Sequence, residues 1–413
     1  MFSVEDFCSG FVADPGYQIG NLSLEIGGEN LDGMESQFYY DSDFIPRIRT
    51  TIRKFVLALD TTELVRCNHP NLDSCYWFIS NANGLSAHES LLTVAPTCLP
   101  FARSTGHSYH RVTGVIADLP DFRDGSNLSG EVDGGTLTLN IHAMTANGNR
   151  IGSFEWDLHE AIGDEDIDQL CRYLSLALSF VSGGNSRVGN YLATDGPDHS
   201  CSRQAFGFIR KASDPKLLRS RNWFTFAHSE DVFSFIKGFL ELCKTAKRPL
   251  DVILPVELYL AANASRDILM QSAAITSFSC LESLAATILK EKAGWSSELV
   301  RRSSAQDRLR AAAVFIGVVD DILKHSPRAS RECRERNNED GYALLARWRN
   351  ATVHYSNDIV LDGEAAVEAF EVSQWLVEIL ILATVGYKGR LVDRRIMTGY
   401  DVEATMDVDF SRH

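Results

Sequence analysis

No two of the nine cysteines form a C-x-x-C pair; they stand alone at positions 8, 67, 75, 98, 171, 201, 243, 280 and 333. That scatter speaks against a disulfide framework and suits isolated thiols in a reducing compartment. Basic charge is also scarce. Lys and Arg total 40 against 55 Asp and Glu, a formal net charge of −15, which excludes a broad basic surface for nucleic acid and leaves room only for a local contact. The opening residues, MFSVEDFCSGF, carry acids where a secretory leader has Lys or Arg before a long apolar run. The longest apolar run, Leu376–Tyr387, contains Glu378 and is shorter than the roughly 20 residues that cross a bilayer. It reads as a buried helix, so the expected location is the cytoplasm, with no membrane partner. GxxxxGK[ST], GxSxG and a strand-linked GxGxxG are all missing, which removes the usual signatures of nucleotide hydrolysis, α/β-hydrolase chemistry and dinucleotide binding.

What is present is an ordinary globular composition, 45% hydrophobic and 23% charged over 413 residues, enough for two domains with real cores. The first 160 or so residues are dense in glycine turns between short alternating stretches, a β-rich pattern. Leu137, Leu139 and Ile141 alternate before Asn147-Gly148, and Phe154, Trp156 and Leu158 after it, which predicts a hairpin over Thr136–Leu158. A helix follows, with Asp164 as N-cap and Gly183-Gly184 as its stop. Residues 185–226 are ambiguous, with room for two or three strands. From Ser229 the period becomes 3.6, with helical runs at Ser229–Lys244, Pro255–Lys292, Ala305–Lys324, Asn338–Tyr355 and Gly363–Tyr387. Pro327–Asn338, highly charged, reads as a solvated connector. The expected fold class is α+β: a β-rich N-terminal domain over 1–228, a helical bundle over 229–395, and a tail over 396–413.

Three groups invite a metal or cation reading. Cys67, His69 and Cys75 form a C-x-H-x5-C cluster with no fourth ligand nearby. His107 and His110 make an HxxH without the Glu and helix of a metalloprotease motif. Asp164-Glu165-Asp166 suits the start of a helix, where acids are favoured anyway. None is taken as a metal site, and no cofactor is expected.

The informative stretch is Gly341–Asp358, GYALLARWRNATVHYSND. On a helix, Leu344, Leu345, Trp348, Ala351, Thr352 and Tyr355 share one side, a stripe for the core. The opposite side carries Ala346, Asn350 and Val353, with Arg349 and His354 on its flanks. A solvated face is usually richer in charge. Asn350 and His354, at i and i+4, can support one another, and Arg349 is long enough to reach the same point. If a second copy packs there, two Arg–His pairs converge across a two-fold seam. Histidine near neutral pH can take a 2′-hydroxyl proton or give one to a leaving 5′-oxygen, and arginine holds phosphate. On spacing alone this chemistry competes with a plain surface histidine, and both readings stand.

The string Arg349-Asn350-Ala351-Thr352-Val353-His354 resembles the R-polar-x3-H motif of the HEPN superfamily. Ser279-Cys280-Leu281-Glu282-Ser283-Leu284 looks like the helix that precedes the motif helix in ApeA-like HEPN proteins, and Ala365–Tyr387 would be the closing helix. The order of a β-rich part before such a bundle is similar to that of ApeA-type bacterial anti-phage, or abortive-infection, proteins. The resemblance covers roughly Asp251–Lys388. It implies a metal-independent endoribonuclease, acting as a homodimer through the bundle on RNA, with tRNA as a candidate. Arg349 and His354 are the implied catalytic pair and Asn350 a polar supporter. Glu282 is expected to hold an arginine such as Arg349 or Arg347, with Arg347 and Tyr355 as further supporting residues. Under this reading the N-terminal domain senses a phage-derived trigger. The alternative is a non-catalytic dimerisation scaffold whose N-terminal domain senses a phage or cellular ligand.

Overall fold

The structure is a computed structural model describing residues 17–26, 29–40, 46–52, 64–69, 72–84, 90–96, 101–104, 108–117, 119–120, 122, 127–132, 134–141, 151–184, 186–195, 202–206, 223–224, 226–318, 321–336, 339–354, 361–396 and 405–411. It shows an α+β fold. Six strands come first: β1 (Tyr17–Ile26), β2 (Glu29–Tyr40), β3 (Pro46–Ile52), β4 (Leu64–His69), β5 (Leu72–Gly84) and β6 (Ser90–Pro96). They close into an antiparallel barrel in the order β1-β2-β3-β6-β5-β4. Within it Cys67 stands opposite Cys75, and His69 opposite Leu72, across the β4–β5 pair. The side chains of that cluster lie outside the described residues, as does His107.

A second, seven-stranded sheet holds β7 (Phe101–Ser104), β8 (Tyr109–Ala117), β9 (Asn127–Val132), β10 (Gly135–Ile141), β11 (Ile151–Ile162), β12 (Arg187–Thr194) and β13 (Ser202–Phe206), in the order β7-β13-β12-β8-β11-β10-β9. The predicted hairpin is β10–β11, with Leu137 opposite Trp156 and Leu139 opposite Phe154. Its alternation has the expected effect: Leu137, Leu139 and Ile141 are buried, while Thr136, Thr138 and Asn140 are half-buried. The helix after it, α1 (Asp164–Ser182), has Gly163 rather than Asp164 as N-cap. Asp164, Glu165 and Asp166 fill its first turn, where the helix dipole favours acids. It ends on Gly183 at φ 67, the left-handed cap that a residue with a Cβ takes up at a cost.

The helices that follow are α2 (Val232–Thr245), α3 (Leu250–Ser265), α4 (Met270–Glu291), α5 (Ser297–Arg302), α6 (Ala305–Phe315), α7 (Pro327–Glu335), α8 (Gly341–His354) and α9 (Gly363–Thr384). The long run expected over Pro255–Lys292 is two helices. Ser265, whose hydroxyl turns back to the Ala261 carbonyl, and the extended backbone of Leu269 break it. The run from Ala305 stops at Phe315, ahead of Gly317 at φ 84. The supposed connector Pro327–Asn338 also departs from expectation, since most of it is α7. Pro327 starts that helix, Glu368 accepts from the first-turn amides of Arg328 and Ala329 at 3.0 and 2.7 Å, and Ala329, Glu332 and Cys333 are buried. Arg328 and Glu332 on it are tied into ion pairs, while Arg331, Arg334 and Glu335 stay exposed. The expected tail is partly strand: β14 (Lys388–Val392) pairs with β15 (Thr405–Asp409), and Phe410 is buried beside them.

Among the described residues, α4 is long and apolar enough to cross a membrane by length and composition. Its packing against α3, α6, α8 and α9 accounts for that composition, because a helix hydrophobic on most sides belongs in a core. The seven-stranded sheet and the bundle share one interior. Phe180 of α1 lies 5.0 Å from Phe235 of α2 and 4.9 Å from Tyr259 of α3, measured between ring centres, and Trp223 lies 5.3 Å from Tyr387. A polar chain runs alongside: the Asn263 amide donates to the Gly183 carbonyl at 3.0 Å, and Gln374 donates to Asn263 at 3.3 Å. Just past β14, the fully buried Arg394 sits between two carboxylates of α9, Glu371 and Glu378, each at 2.8 Å. Tyr259 donates to the same Glu378 oxygen at 2.7 Å.

Candidate functional site on α4, α6 and α8

The helix that carries the motif starts at Asp340, whose carboxylate accepts from the Ala343 amide at 2.9 Å. Gly341 lets it start there, since a Cβ would stand 2.6 Å from the Ile322 side chain. Leu344, Leu345, Trp348 and Ala351 are buried and Thr352 half-buried, as the stripe requires. Ala346 departs from the expectation of an open face and is buried. Asn350, Val353 and His354 are exposed.

Two arginines on this helix have opposite fates. Arg347 donates to Glu339 through Nε at 3.0 Å and Nη2 at 2.5 Å, and to Glu332 through Nη1 at 2.8 Å. Burial acts to lower its pKa, but those carboxylates outweigh it and hold the guanidinium above its usual range. Glu332 is correspondingly held below the usual carboxylate range. Its burial acts upward and is outweighed by the hydrogen bonds of Arg347 and Trp348 and by the charges of Arg347 and Arg328. Arg347 therefore fastens α8 to α7 and is not available to phosphate in this arrangement.

Arg349 is held more loosely. Its Nη2 donates to Glu282 Oε2 at 3.3 Å, its Nη1 to Asn350 Oδ1 at 2.9 Å, and its guanidinium faces the Phe278 ring at 6.0 Å. Glu282, on α4, thus takes Arg349 of the two arginines expected for it. A third member, Arg308 on α6, has no sequence signature and donates to Glu282 Oε1 at 3.3 Å. Its other Nη reaches the Ser303 carbonyl at 2.6 Å and the Val300 carbonyl at 3.3 Å, at the C-terminal end of α5 where a cation is favoured. Nothing near Arg308 in sequence marks it; the fold alone brings it to Glu282.

Asn350 turns to Arg349 rather than to His354, and no hydrogen bond joins His354 to either residue. Five helical steps separate Arg349 from His354, about 140° around the axis and about 7.5 Å along it. Within one copy the arginine therefore lies against α4 while the histidine faces outward. Tyr355 lies outside the described residues. Among the described residues no three His, Cys, Asp or Glu side chains group as a metal site would require. The site offers two guanidiniums facing one carboxylate, an amide, and an exposed imidazole further along the helix.

Residues 248–402, less than half of the chain, match the family model of the YopA C-terminal domain. That span contains Glu282, Arg308, Arg349, Asn350 and His354. No curated protein and no solved structure matches the chain.

Proposed function

We propose that this chain is a metal-independent endoribonuclease of HEPN type, working as a homodimer in the cytoplasm in bacterial anti-phage defence. The observation that carries the reading is the disposition of the motif helix. Arg349 is braced by Glu282 and Asn350, while His354 and Val353, the latter 47% exposed, face outward where a second copy can cover them.

In the proposed reaction a histidine removes the 2′-hydroxyl proton of the RNA. The 2′-oxygen attacks the adjacent phosphorus, and the bond to the 5′-oxygen breaks as a second histidine, from the other copy, protonates that oxygen. Arginine balances the charge that gathers on the non-bridging oxygens. A 2′,3′-cyclic phosphate and a free 5′-hydroxyl result. The candidate substrate is RNA such as tRNA, and residues 1–228 are the part assigned to sensing a phage-derived trigger.

The test is cleavage of total RNA and tRNA in EDTA by the wild type and by Arg349→Ala and His354→Ala, each checked for fold and dimerisation. Loss of cleavage in the variants alone supports the reading. A fully dimeric wild type that leaves RNA intact in the presence of the phage components that trigger it favours the scaffold instead.

A further inference from the structure

Glu282 is the single carboxylate shared by Arg308 and Arg349, one oxygen to each, at 3.3 Å in both cases. Charge-assisted hydrogen bonds are ordinarily about 2.7–2.9 Å, so both contacts are slack. Each arginine also keeps a buried Nε with no partner. Arg347, on the same helix as Arg349, shows the contrast: its Nε and both Nη groups are bonded, and two carboxylates balance it. Arg308 and Arg349 together carry one positive charge more than Glu282 removes, in a chain whose total is −15. All three side chains keep an open edge, 18%, 29% and 24% exposed for Arg308, Arg349 and Glu282.

From this we infer that Arg308 and Arg349 form a two-arginine seat for one phosphodiester of the RNA backbone, and that Glu282 occupies the seat until the phosphate arrives. A phosphodiester presents what the carboxylate presents, two acceptor oxygens on one negative unit, and guanidiniums suit that geometry. Arg308 is pinned by the Ser303 and Val300 carbonyls and Arg349 by Asn350. The two donors thus stay in place when Glu282 swings to its exposed side. The seat rests on the reading of the substrate as RNA. It adds Arg308 as a binding residue and gives Glu282 the part of an internal competitor.

The experiment uses the full chain and a short 2′-O-methyl RNA, which lacks the nucleophilic hydroxyl and so reports binding without cleavage. Affinity is measured by fluorescence anisotropy over a range of salt. Arg308→Ala should weaken binding about tenfold and lower the salt slope by about one ion. Glu282→Gln should tighten binding by about fivefold or more and steepen the slope. Arg301→Ala, which removes an exposed charge on α5, should change affinity by less than about twofold. Arg308→Lys keeps the charge and loses the fork, so it should fall between wild type and Arg308→Ala; it serves if the alanine variant does not fold.

Binding that is indifferent to Arg308→Lys and Glu282→Gln overturns the seat, as does no binding by either wild type or Glu282→Gln. Cleavage that needs His354 while Arg308 variants bind like wild type removes the seat and leaves the nuclease. Binding that needs Arg308 with no cleavage of unmodified RNA removes the nuclease and leaves the seat.

Discussion

Trp348 donates its indole N–H to Glu332 at 3.2 Å, fastening the motif helix to the charged helix α7. Arg347 and Arg328 reach the same carboxylate at 2.8 and 3.1 Å, so one nearly buried side chain serves three donors. Its removal strands a buried indole N–H, leaves Arg347 with Glu339 alone, and leaves Arg328 only the more distant Asp362 at 3.6 Å.

Glu332→Ala should therefore cost about 3 kcal/mol of stability. Urea unfolding checks it through a lower midpoint at an unchanged slope. Glu332→Gln, which keeps an acceptor for Trp348, should cost less.

His354→Ala should separate chemistry from folding. The residue is exposed, so stability should move by less than about 0.5 kcal/mol. Cleavage should drop by about a hundredfold or more if it moves a proton. Thermal melting alongside a cleavage assay reads both, and equal cleavage by the variant would remove His354 from the reaction.

Glu378 sets a pH dependence. Burial pushes its carboxyl up to about 7, against the pull of Arg394 and the Tyr259 hydroxyl. One arginine faces two carboxylates there, and a proton on Glu378 brings the cluster to neutrality. The folded state holds that proton to higher pH than the unfolded chain, where a Glu titrates near about 4.3. The group's contribution is thus greatest below about pH 4 and is lost as pH rises to 7, falling by about 4 kcal/mol and then levelling. Glu378→Gln should flatten that part of the curve, which melting temperatures at a series of pH values would show.

Gly238→Ala should destabilise although alanine is the better helix former. A Cβ at that position of α2 would stand 2.1 Å from the Val385 carbonyl oxygen, backbone that cannot turn aside. The expected cost is about 2–3 kcal/mol, read from chemical denaturation. A variant as stable as wild type would mean that α2 does not approach α9 so closely.

Period carried the sequence reading where one face was buried. The β10–β11 alternation placed Leu137 and Leu139 inward, and the stripe of α8 placed Leu344, Leu345 and Trp348 inward, because burial writes a repeat into the chain. It failed at α7. Arg328, Glu332 and Arg336 there look solvated in sequence, and only Arg347 and Trp348, from another helix, turn Glu332 into an anchor. The site divides the same way. Arg349, Asn350 and His354 belong to one local string, and Glu282 was visible as an acid on an apolar helix. Arg308 was not, since its partner comes from a different helix and its other bonds go to backbone carbonyls that no side-chain pattern reveals.

The stack of Phe180 on Phe235 and Tyr259 bears on any attempt to divide the molecule. A fragment starting at Ser229 would keep two of those rings and lose the third, baring the apolar floor on which α1 rests. The seven-stranded sheet and the helices should accordingly melt in a single transition. A ligand that steadied α1 would stiffen α3 through the rings and, through Asn263 and Gln374, α9 as well.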